Sequence, residues 1–242
     1  MATVTPTLKR KAAPATGRAP VVIEGRVTVP SWVRDLDSFR RWVKSDELPE
    51  SGRFSFLDGE IWVDLSMEQL FTHNDVKTQY TMVVGALAQE QKQGRYFSDG
   101  VLLTHPEAQL STEPDGLFVF FKSIEQRRLR LITGAMGGYV ELEGSPEMTL
   151  EIVSRSSMRK DAEILRELYW RAHVTEYWLV DARSDVQFDI LRWTSKGYRR
   201  TTPVRGWLRS KVFDRWFQLT QDTDPLGNPQ FRLLVRQEAP GK

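Results

Sequence analysis

Two carboxylates occupy positions where a carboxylate is costly. Glu151 lies in the middle of Met148-Thr149-Leu150-Glu151-Ile152-Val153-Ser154, whose apolar residues, shortness and preceding Gly144 and Pro146 predict a buried strand. Asp115 lies in Pro114-Asp115-Gly116, directly before the apolar strand signal Leu117-Phe118-Val119-Phe120-Phe121. Taking an ionised carboxylate out of water is unfavourable unless positive charge meets it. An arginine partner or an outward-facing position would account for Glu151 alone. An acid opening one apolar strand and another acid inside a second also make the donor pair that a hard, oxygen-preferring cation requires.

Composition narrows the alternatives. A chain of 242 residues suits one domain with embellishments, and a 40% hydrophobic content that includes eight Trp and twelve Phe supplies a core. The absence of cysteine excludes disulfides and thiolate metal sites and favours a cytoplasmic setting. His73, His105 and His173 are too scattered to predict a zinc site. No apolar run approaches the roughly 20 residues of a membrane helix, so no membrane partner is expected. Residues 1–20 hold Lys9, Arg10, Lys11 and Arg18 and no acid, while the whole chain is only +2; the remainder is therefore close to neutral. This segment has no apolar periodicity and no secretory h-region, and reads as a disordered basic tail in preference to a non-specific phosphate-binding arm.

The acids need elements to hold them. Pro30-Ser31 predicts a helix start with Ser31 as N-cap, followed by apolar Trp32, Val33, Leu36, Phe39, Trp42 and Val43. Asp58-Gly59 between two apolar runs predicts a hairpin, with Glu60 directly after the turn. Residues 66–93 carry a helical pattern with His73 near its beginning, and strands follow at 95–97 and 101–104. Residues 122–143 give no clear element: Arg127, Arg128 and Arg130 form either a phosphate contact or a solvated face, and Gly134, Gly137 and Gly138 form a loop that is not a nucleotide P-loop. A helix capped by Ser156 or Ser157 runs to about Ala172 and leads to the strand Tyr177-Trp178-Leu179-Val180. This short crossover makes the strands of Glu151 and Trp178 parallel. Residues 186–193 and 198–202 predict an antiparallel pair around Ser195-Lys196-Gly197, and the remainder a β-rich segment with Trp207, Phe213, Trp216 and Phe217.

The middle of the chain is thus helix, three strands, helix, strand. Leu57-Asp58-Gly59-Glu60, His73, Glu113-Pro114-Asp115, Glu151-Ile152-Val153-Ser154, Asp161, Tyr169 and Glu176-Tyr177-Trp178-Leu179-Val180-Asp181 follow in an order and spacing that resemble the PD-(D/E)XK nuclease superfamily, over residues 54–193. More closely, they resemble a large bacterial family of restriction endonucleases within it. The resemblance implies an α/β, restriction-endonuclease-like core at 21–193, with an N-terminal helix and β-hairpin and a β-rich extension at 194–242. It implies that Asp115 and Glu151 are ligands of Mg²⁺ or Mn²⁺, that Glu60 stands at the mouth of the site as a third ligand, direct or through water, and that His73 accompanies them. DNA is the implied substrate, and pairing into a homodimer would let two sites reach both strands.

The chain departs from the family at the lysine. The (D/E)XK position is Val153, and the alternative position four residues after Asp161 is Leu165. The cations nearby are Arg155, Arg159, Lys160 and Arg166, of which Lys160 is the expected stand-in, a compact ammonium at a helix N-terminus. Two functions follow: a Mg²⁺-dependent DNA endonuclease, or a nuclease-fold protein without cleavage that serves as a nucleic-acid-binding or assembly module.

Overall fold

The computed structural model describes residues 21–23, 27–135 and 137–241; the basic segment 1–20 lies outside the described residues. In chain order the elements begin with β1 (Val21–Ile23), β2 (Val27–Val29), α1 (Leu36–Trp42), β3 (Arg53–Leu57) and β4 (Glu60–Asp64). A π-helical turn, Leu70–Asp75, runs into α2 (Val76–Gln91), followed by β5 (Gly94–Ser98), β6 (Leu102–His105), β7 (Leu110–Thr112), β8 (Gly116–Phe120) and the short α3 (Phe121–Glu125). Next come β9 (Leu129–Thr133), β10 (Tyr139–Gly144), β11 (Met148–Ile152), a second π-helical turn, Lys160–Leu165, and α4 (Arg166–Arg171). The chain closes with β12 (Glu176–Asp181), β13 (Gln187–Arg192), β14 (Arg199–Arg200), β15 (Leu208–Ser210), β16 (Arg215–Thr223) and β17 (Pro229–Arg236).

These strands build two six-stranded sheets, ordered β4-β3-β7-β6-β10-β9 and β14-β13-β12-β11-β8-β5, beside a two-stranded and a three-stranded sheet. The second sheet is the anticipated core. β11 pairs with β12 in parallel across the α4 crossover, and with β8 antiparallel. Its face carrying Phe118, Leu150, Ile152, Trp178 and Val180 packs on Tyr80 and Val84 of α2 and on Phe213 and Phe217 of the C-terminal segment. Trp178 meets Phe213 and Phe217 at ring-centroid distances of 5.6 and 4.8 Å. Such edge-on pairs add about 0.5–1.5 kcal/mol each beyond their area, so this extension is part of the body.

The other face of that sheet meets the first sheet. Leu117, Val119 and Tyr177 join Leu57, Leu103, Leu110 and Leu142 in one cluster, which Leu165, Leu168 and Tyr169 enter from the second π turn and α4. Side chains alternate along a strand. Glu151, between Leu150 and Ile152, therefore points to this face, and Asp115, two residues before Leu117, shares it. The far face of the first sheet is closed by α1, where Trp42 stands edge-on to Phe54 at 5.3 Å.

Three local expectations are corrected. Ser31 sits in a turn, and α1 starts later: Asp35 accepts from the Ser38 N–H at 2.8 Å while the Ser38 hydroxyl oxygen accepts the Asp35 N–H at 2.9 Å, a reciprocal cap that outcompetes a lone serine. The helix drawn from Ser156 or Ser157 begins as turns and π geometry and becomes α-helical at Arg166. Residues 122–143 are a short helix and two strands. Within them Arg128 pairs with buried Glu147 at 2.8 Å, Arg130 pairs with Glu143, and the Gly134 N–H bonds the Gly138 carbonyl at 3.0 Å in the β9–β10 turn. Arg128 and Arg130 thus neutralise acids of the protein itself.

Candidate metal centre

The site is built at the start of β8, which Asp115 directly precedes. Gly116 is required there because a Cβ would collide with the Tyr96 hydroxyl, so the chain passes close to β5 and leaves Asp115 at the strand mouth. Asp115 is 2% exposed. Its Oδ2 accepts the Ile152 N–H of β11 at 2.8 Å, which ties it to the strand position beside Glu151. Arg53 Nη1 lies 3.3 Å from its Oδ1, and His73 Nε2 lies 3.4 Å from Oδ2. Burial pushes the Asp115 carboxyl up, but His73, Arg53 and the Ile152 N–H outweigh it and hold the group below the usual carboxylate value.

Glu151 is in the opposite condition. It is 3% exposed, and its Oε1 accepts the Tyr169 hydroxyl at 2.6 Å. Burial raises its pKa well above normal; Lys160 opposes that rise, and the charges of Asp161 and Asp115 add to it. Asp161, beneath the same ammonium, is pushed up to about 6 by burial against the pull of Lys160 and the Ser157 hydroxyl. Lys160 Nζ is 3.5 Å from Asp161 Oδ1, and this oxygen is buried without a hydrogen bond among the described residues. Burial works against the Lys160 charge, but Glu151, Asp161 and Asp115 more than compensate and raise its pKa, which keeps it an ammonium at neutral pH.

A cavity of about 160 Å³ opens beside these groups, lined in part by Arg53, Ser55, Trp62, Asp64, Ser157 and Lys160. Asp64 accepts from Ser66 and Ser156; burial raises its carboxyl, and those hydrogen bonds with the Lys160 charge lower it below the usual value. Beyond Asp115 the network continues outward. Glu68 pairs with Arg53 and, at 2.7 Å, with Lys77, whose ammonium also meets Asp99 at 2.6 Å.

The structure therefore brings Asp115, Glu151, Lys160 and His73 to one place. It does not bring Glu60. That residue is exposed at the start of β4, opposite Leu57, about 13 Å along the strand from Asp64 at the usual rise per residue. The acid that β4 delivers to the cavity is Asp64, which the sequence did not single out. Val153 and Leu165, at the two lysine positions, are buried apolar residues.

Two acid sets fit a cation differently. Ligand atoms of Glu68, His73 and Asp115 lie within 4.8 Å of one another, but Arg53 and Lys77 already occupy Glu68. Asp115 and Glu151 offer hard oxygen donors from adjacent strands on one face. The donor chemistry suits Mg²⁺ or Mn²⁺ rather than a soft metal.

A parallel β-helix-β crossover with two buried acids at the strand ends, flanked by helices on both faces, defines a restriction-endonuclease-like fold. A crystal structure of a nuclease described as putative and belonging to DUF820, from Anabaena variabilis, superposes on 74% of this chain and 90% of its own with a TM-score of 0.56, at 18% identity. No curated protein matches the chain. Residues 36–221 match the model of the Uma2 family, described as putative restriction endonuclease, and the chain belongs to that family.

Proposed function

We propose that the protein is a Mg²⁺- or Mn²⁺-dependent endonuclease that hydrolyses DNA phosphodiester bonds. The observation that carries this reading is the placement of Asp115 and Glu151 on adjacent strands and on one face of the sheet, with Asp115 bonded to the Ile152 N–H next to Glu151. Asp115 and Glu151 would hold the cation, which supplies charge neutralisation at the phosphate and acidifies water when bound. The Tyr169 hydroxyl fixes the Glu151 carboxylate through one oxygen and leaves the other free. Lys160 and Arg53, both on the cavity wall, present positive charge to a phosphate entering it. With its pKa raised, Lys160 donates hydrogen bonds and charge rather than removing a proton.

One observation favours the second reading, a nuclease fold that binds nucleic acid without cutting. Arg53 already stands against Asp115, and apolar Leu165 fills a lysine position. Calorimetric titration of Mn²⁺ into wild type and Asp115→Asn separates the two. One site per chain, weakened at least about tenfold in the variant and accompanied by cleavage of plasmid DNA, is the expected result; absence of both metal binding and cleavage would overturn the endonuclease reading.

A homodimer is part of the proposal. Phe213 and Phe217 are used internally, so pairing has to come from other surfaces. Light scattering at micromolar concentration is expected to give about twice the 28.0 kDa chain mass; a clean monomer would remove the dimer and leave the metal site untouched.

A further inference from the structure

The open edge of the second sheet carries a basic cavity, separate from the acid cluster. It has a volume of about 770 Å³ and lies between β13–β14 and the β15–β16 hairpin. Arg192, Arg199, Arg200, Arg209 and Lys211 face it against a single acid on its wall, Asp214. Part of this charge is answered: Arg192 Nε is 3.7 Å from buried Glu176, Arg200 meets Asp189 at 2.6 Å, and Arg209 meets Asp214. Arg199 and Lys211 are exposed and form no ion pair among the described residues.

A second observation points to a ligand. Arg192 Nε, Arg209 Nη1 and Thr201 Oγ1 are buried without a hydrogen-bond partner among the described residues, and all three residues line this cavity. Thr201 is only 7% exposed. Buried donors left unpaired are unfavourable, and guanidinium groups have no acceptor to offer one another. An anion that accepts several hydrogen bonds, as a phosphate does, would complete them. Half-buried Trp193 and Trp216 stand in the same wall, and Arg209 lies 5.9 Å from the centroid of the Trp216 ring. Cations interleaved with aromatic faces suit a strand whose phosphates and bases alternate.

We propose that this cavity binds the phosphodiester backbone of a single nucleic-acid strand, with a phosphate seated between Arg192, Arg209 and Thr201 and a base against Trp216. The proposal rests on the nuclease reading only in taking nucleic acid as the partner. β14 lies three strands from β11, about 14 Å at the usual strand spacing, so occupancy is measurable without cleavage.

The test is fluorescence anisotropy of a labelled oligodeoxynucleotide with the full chain in EDTA, at several salt concentrations. Arg199→Gln combined with Lys211→Gln is expected to weaken binding about tenfold or more and to reduce the salt slope by about 1.4, the single-strand value for two contacts. These side chains are exposed and unpaired, and an unchanged thermal melt verifies folding. Lys122→Gln with Arg127→Gln removes equal charge elsewhere and is expected to change affinity less than about threefold. Equal losses in both double variants, or no loss in the first, would overturn the proposal. Inorganic phosphate is expected to compete with the oligonucleotide; phosphate binding without oligonucleotide binding would reduce the cavity to a small-anion site and overturn the strand. A protein that binds the oligonucleotide through Arg199 and Lys211 yet never cleaves would refute the nuclease reading and leave this site standing.

Discussion

Glu151→Gln is expected to abolish metal-dependent cleavage and, in chelator at pH 7, to raise the melting temperature. Both effects have one cause. Glu151 is buried beside Asp161 and Asp115, and Lys160 only partly compensates, so its folded-state pKa lies well above the unfolded value of 4.5. An acid in that condition binds more protons when folded than when unfolded, so stability falls as pH rises from 4.5 toward the folded pKa. At neutral pH the glutamate therefore costs stability that the isosteric amide restores, at roughly 2–4 °C per kcal/mol for a chain of this size. Mn²⁺ should reverse the order by raising the melting temperature of wild type, through selective binding to the folded state, and not that of the variant. A variant that melts below wild type in EDTA would show that Glu151 is a satisfied structural acid, held by Tyr169 alone, and would remove it from the metal site.

The strand that carries Glu151 was legible because local chemistry and packing agree there. Met148–Ile152 is short and apolar, Gly144 and Pro146 precede it, and the crossover to β12 leaves only a parallel pairing. Of the first sheet the β3–β4 hairpin and β6 were legible; β7 was not, because its buried residues include polar side chains. Ser55 bonds Thr112, and Thr104 bonds Ser111, each at 2.8 Å inside the protein. Residues that satisfy one another across strands read as solvent-facing when taken singly. Arg53, Glu68, Lys77 and Asp99 escaped for a related reason. Each is an ordinary charge until the fold brings partners from 9 to 62 residues away into contact. Glu60 and Asp64 mark the limit of a motif: the hairpin was clear from Asp58-Gly59, but not which end of β4 reaches the cavity.

The π-helical turn at Lys160–Leu165 decides which cation serves the site, because an extra residue per turn shifts which side chains face inward. Arg159 is left in solvent with its side chain 77% exposed, while Lys160 turns in at 15%. Lys160→Met is therefore expected to lower cleavage by roughly 10²–10³-fold, the range for losing one positioned donor that stabilises developing charge. It is also expected to destabilise the fold in a pH-dependent way. The ammonium lowers the pKa values of Glu151 and Asp161 against burial. Without it, the carboxyl of Asp161, at about 6 in wild type, moves higher, and the stability lost from pH 3.8 upward continues past pH 6. The lysine itself has a raised folded pKa, so its contribution is fully present below 10.5 and is constant over this range. The gap in melting temperature between wild type and variant should accordingly be small at pH 5, below the Asp161 value of about 6, and widen toward pH 8. A gap that does not change with pH would place the ammonium away from these acids. A widening gap with wild-type cleavage would make Lys160 a counter-charge that positions Glu151 and Asp161, and would leave the phosphate to Arg53.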